Sequence, residues 1–83
     1  MRDSSSRENN EELKELLKQY QYLKAGKGHS FLEEESFERI IDYFDGEENL
    51  PNALEAAEIA MEHFPFSSSL MLKKADLLIA TRK

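Results

Sequence analysis

The chain predicts an all-α fold of about four helices, at roughly 10–24, 33–45, 50–64 and 68–81. Three observations carry that prediction. Apolar residues recur at intervals of three and four in four separate stretches, which places them on one helical face. Glycine, proline or serine separates each stretch from the next, as helix ends require. No stretch alternates apolar with polar residues as a half-buried strand does, and valine is absent altogether.

Residues 1–8 are Ser-rich, with no large apolar side chain after Met1, and are expected to form a disordered tail. Asn9-Asn10-Glu11-Glu12 has the form of a capping box, so the first helix should start there. Its stripe is Leu13, Leu16, Leu17, Tyr20 and Leu23, and Gly26 and Gly28 should stop it. Residues 9–30 thus form an N-terminal capping helix and a glycine linker. In the second helix the stripe is Phe37, Ile40, Ile41 and Phe44, with Gly46 as the stop. Phe31 and Leu32 precede it and can fold onto its first turn as a hydrophobic staple. The third helix has Asn49 as N-cap and Pro51 in the first turn, where a missing N–H costs little. Ala53, Ala56, Ala57 and Ala60 form a ridge of small side chains that admits another helix closely. Leu54, Met61 and Phe64 supply bulk, and Pro65 ends the helix. Ser67-Ser68-Ser69 offers N-caps for the fourth helix. Leu70, Met71, Leu72, Ala75, Leu77, Leu78, Ile79 and Ala80 cover more than one stripe of it, so it expects neighbours on more than one side.

With 83 residues, the chain makes one small domain of marginal stability. No run approaches the roughly 18 apolar residues of a membrane span. The first residues lack the apolar segment of a signal peptide. Without cysteine there is no disulfide, thiolate nucleophile or Cys-type metal site, which fits the cytoplasm. The net charge of −6 is unevenly spread: residues 1–30 carry +1, 31–65 carry −10 and 66–83 carry +3. An acidic middle argues against nucleic acid, whose phosphates need a Lys/Arg surface. It favours a basic partner.

Residues 34–67 hold Phe37-x2-Ile40-Ile41-x2-Phe44, then Ala53, Ala57 and Ala60, then Pro65. That 34-residue pattern resembles the tetratricopeptide repeat, Trp-x2-Leu-Gly-x2-Tyr, then Ala-x3-Phe, then Pro. Phe37 stands for the opening aromatic, Ile40 for Leu and Phe44 for Tyr. The chain departs from the pattern at Ile41, where a small residue is usual, and at Ala57, where an aromatic is usual. The two departures are complementary in volume. Residues 68–81 look like the first helix of a second repeat, with Ala75 at the small position, Leu78 at the aromatic one and Lys74 departing from Leu. Residues 31–83 thus read as one full repeat and the first helix of another. Phe37 to Phe44 and His63-Phe64-Pro65-Phe66-Ser67 look similar to the opening repeats of larger bacterial tetratricopeptide proteins. The resemblance implies antiparallel helical hairpins of an α-solenoid. It also implies a protein–protein interaction module, an adaptor or scaffold. A repeat of this kind needs neighbours to bury its apolar face. The chain is therefore expected to be an N-terminal piece of a longer protein, or to form a homodimer through its last helix.

In this family the first helices of successive repeats line a groove for extended peptides. The matching positions here are Glu35, Glu38, Asp42 and Asp45, one stripe opposite the apolar one. Leu72, Asp76 and Ile79 extend the groove onto the fourth helix. Like charges at this spacing repel by a few tenths of a kcal/mol per pair, so the stripe does not serve the helix itself. An acidic groove would suit a Lys/Arg-rich segment; the same stripe also reads as a solubilising face. Family members that bind acidic tails use a basic groove, whose Lys and Asn are missing here at the matching places. Tyr20 lies on an apolar stripe and should be core, whereas Tyr22 lies off it and is a candidate contact residue. His29 falls in the glycine loop and His63 at a helix end, where a cation suits the dipole. Neither belongs to an HExxH or Glu-x-x-His motif. Lys24 to Ser30 lacks the spacing of a phosphate-binding loop and follows a helix, so it reads as a linker turn. No catalytic constellation is present and no cofactor is implied, so an enzyme is not expected. The alternative to a binding module is a structural capping or dimerisation domain without a peptide groove.

Overall fold

The computed structural model describes residues 2–26 and 31–81, with the backbone alone for residues 2–10. Gly28 and His29 of the expected linker turn lie outside the described residues. The elements are α1 (Arg2–Lys24), α2 (Glu34–Gly46), α3 (Leu50–His63) and α4 (Ser68–Thr81), with no strand among the described residues. They fall into two compact units, Met1–Glu33 and Glu34–Lys83. No helix of the described residues is long and apolar enough to cross a membrane.

In the first unit, α1 is longer than the expected 10–24 and takes in residues assigned to a tail. The physical reason is the lack of a stop. No glycine or proline lies between Arg2 and Lys24, and Arg, Glu and Lys are good helix formers. Asn9 and Asn10 therefore sit inside the helix and do not cap it. The other end is as expected. Gly26 takes the left-handed conformation at φ 69°, and its N–H bonds to the Leu23 carbonyl at 3.1 Å. Tyr20 is buried, and the Lys24 ammonium lies 5.4 Å from its ring centre, one turn further along. Leu32 is buried, whereas Phe31 is exposed.

The second unit is built on α3. α2 and α4 both pack on it, and they meet each other over a smaller contact. Phe37, Ile40 and Ile41 of α2 are buried, as are all four alanines of the α3 ridge and Leu70 and Leu77 of α4. Burying each large side chain is worth about 1.5–3 kcal/mol. The alanines leave room beside the α3 backbone for the larger side chains of the helices packed on it. Phe37 lies 5.7 Å from the His63 ring and 6.1 Å, edge-on, from Phe64. Ile41 and Ala57, the two departures from the repeat pattern, are both buried. Phe44, expected on the buried stripe, is only half-buried.

The turn between α2 and α3 corrects one expectation. Gly46 is the last helical residue, but the left-handed residue is Glu48, at φ 60°. The Asn49 N–H reaches back to the Phe44 carbonyl at 2.8 Å and the Glu48 N–H to the Asp45 carbonyl at 3.0 Å. That pair of bonds is a Schellman closure, and it puts the glycine-preferring site two residues after the glycine. Asn49 stands at the N-cap of α3, but its side chain makes no capping bond. Pro51 sits in the first turn as expected.

Candidate functional site

Three acids of α2, spaced four residues apart, face the first half of α4. The Ser67 hydroxyl donates to the Glu34 carboxylate and the Ser69 hydroxyl to the Glu38 carboxylate. Lys73 Nζ donates to Asp42 Oδ1 at 2.8 Å. The i, i+4 spacing of Glu34, Glu38 and Asp42 stacks them on one side of α2. Ser67 also caps α4, since its Oγ accepts from the Leu70 N–H at 3.2 Å.

Beyond this ladder, α2 and α4 enclose a hollow of about 170 Å³. Ile41, Leu77 and Ala80 form its apolar lining, and Asp42, Asp45, Asp76 and Lys73 its charged one. Three carboxylates and one ammonium leave the hollow at −2. Among the described residues no group of three or more His, Cys, Asp or Glu side chains is placed to hold a metal ion. A second hollow of about 330 Å³ lies at the α3–α4 turn, beside His63, Pro65 and the 93% exposed Phe66. There His63 Nδ1–H donates to the Ile59 carbonyl at 3.0 Å.

The structure separates the residues marked in the sequence. Asp42, Asp45 and Asp76 come together around the first hollow. Glu38 does not line it and is engaged by Ser69. Glu35 is exposed and outside it. Leu72 and Ile79 are also outside: each precedes a lining residue by one position, and about 100° of rotation carries it to the adjoining face. Tyr22 belongs to the other unit and is 47% exposed. The residues that sequence reasoning missed are Ser67 and Ser69 as partners of the acids, and Lys73. Ser67, Ser69 and Lys73 follow Glu34, Glu38 and Asp42 at separations of 33, 31 and 31 residues, beyond the reach of local helical spacing.

No protein-family model, curated protein or solved structure matches the chain.

Proposed function

We propose that the chain is a protein-binding module of tetratricopeptide type, part of an adaptor or scaffold, whose α2–α4 hollow takes a basic side chain from an extended peptide segment. The observation that supports this reading is the mixed lining of the hollow. Apolar Ile41, Leu77 and Ala80 suit an aliphatic stem, and Asp45 and Asp76 suit a cationic head. Lys73 already meets Asp42 in this way from within the chain. An acidic peptide would instead face a net charge of the same sign.

The test is fluorescence anisotropy with labelled peptides of equal length, one set Lys/Arg-rich and one Asp/Glu-rich. The basic set is expected to bind and the acidic set not to. Asp45→Asn with Asp76→Asn should weaken the basic set on the order of tenfold or more, and added salt should do the same. Equal affinity of the double variant for the basic peptides would sink the reading.

A further inference from the structure

We propose that the outer face of α4 pairs with the same face of a second copy of this chain, with the two α4 helices parallel about a two-fold axis. Met71, Leu72, Leu78 and Ile79 are 48%, 63%, 44% and 68% exposed. At 100° per residue, these four and Ala75 fall on one arc of about 120°, centred on Ala75. Among the described residues of α4, the arc holds no charged residue. It lies away from Leu70 and Leu77, which anchor α4 in the core, and beside the hollow rather than in it.

Charge selects the occupant. A chain of net −6, with −10 in residues 31–65, repels its own copy over much of its surface. The α4 arc lets a copy approach with no carboxylate in the seam. Its margins carry opposite signs: Lys74 stands on one side of Ala75 and Asp76 on the other. In a parallel two-fold pair, Lys74 of each copy comes beside Asp76 of the other. In an antiparallel pair about Ala75, Lys74 meets Lys74 and Asp76 meets Asp76. A purely acidic or purely basic partner helix would leave one margin uncompensated. A second copy supplies both complements by symmetry alone. Each copy contributes on the order of 400 Å² of apolar side chain, the size of the largest patch on a typical monomer, which is often functional. With its flanks such a pair reaches about 1,000 Å² in total, at the low end for a specific interface, where pairing is weak and reversible.

The test is sedimentation equilibrium from about 5 μM to about 1 mM, a range in which weak pairing is populated. The expected result is a mass rising from one chain to two. Leu72→Lys with Ile79→Lys should hold the chain monomeric throughout with unchanged helical circular dichroism, because both side chains are exposed. Lys74→Asp and Asp76→Lys should each weaken the dimer several-fold, and the two together should restore it. Because the chain has no cysteine, Ile79→Cys reports the orientation cleanly. Parallel helices bring the two thiols to one height and a disulfide forms under mild oxidation; antiparallel ones hold them about 12 Å apart along the axis. A wild-type chain monomeric at the highest concentration overturns the proposal. A dimer that ignores both the lysine pair and the charge exchange overturns it as well. Failure of the charge exchange to restore pairing, or of the disulfide to form, overturns the parallel arrangement.

Discussion

α2 meets its two neighbours through seams of opposite chemistry. On one side Phe37 and Ile40 are buried, and the Phe37 ring lies against His63 and Phe64 of the α3 end. On the other, Glu34, Glu38 and Asp42 meet Ser67, Ser69 and Lys73 of the α4 start. Apolar burial is non-directional and accumulates with area, so the first seam carries stability. The second is directional and largely wet. Exposed ion pairs contribute about 0–1 kcal/mol and single hydrogen bonds about 0.5–1.5. It sets the register of α4 against α2 at small energetic cost. The gap that could receive a ligand therefore lies where the structure can yield without unfolding.

Three substitutions and one control would sharpen or break that contrast. Ile40→Ala empties a fully buried site in the apolar seam and should cost about 2–5 kcal/mol in urea unfolding. Ser67→Ala removes both the α4 cap and the bond to Glu34, for about 0.5–2 kcal/mol. The exposed Ser68→Ala is its control and should stay within about 0.5 kcal/mol. Lys73→Met keeps the stem and deletes the ion pair with Asp42, which is 62% exposed. It should cost at most about 1 kcal/mol, and less still in roughly 0.5 M salt, where exposed charges are screened. If Lys73→Met proved as damaging as Ile40→Ala, the division between a stabilising seam and a registering seam would fall.

The helices were legible because their apolar spacing is local. Phe37, Ile40 and Ile41, the four alanines of α3, and Tyr20 all went to the interior as their positions on a 3.6-residue turn require. What failed was termination. Asn9 to Glu12 has the form of a capping box, yet α1 runs straight through it, since capping preference alone cannot stop a chain with no breaker upstream. The left-handed site after α2 falls on Glu48 rather than Gly46, because the closing bonds from Glu48 and Asn49 choose it and the nearest glycine does not. At the candidate site the acidic stripe could be read, but not its division. Only the docking of α4, some 31 to 33 residues further along the chain, engages Glu38 with Ser69 and Asp42 with Lys73, and gathers Asp45 and Asp76 with Asp42 around the hollow.

The hydroxyl of Ser67 joins two events that are usually separate. One oxygen accepts the Leu70 amide that begins α4 and donates to the carboxylate in the first turn of α2. Nucleating α4 and seating it on α2 therefore draw on the same atom. A short helix gains little from its own first turn, where ordering outweighs a single bond. Here that turn gains a tertiary bond as it forms, so winding and docking reinforce each other and become a single cooperative step.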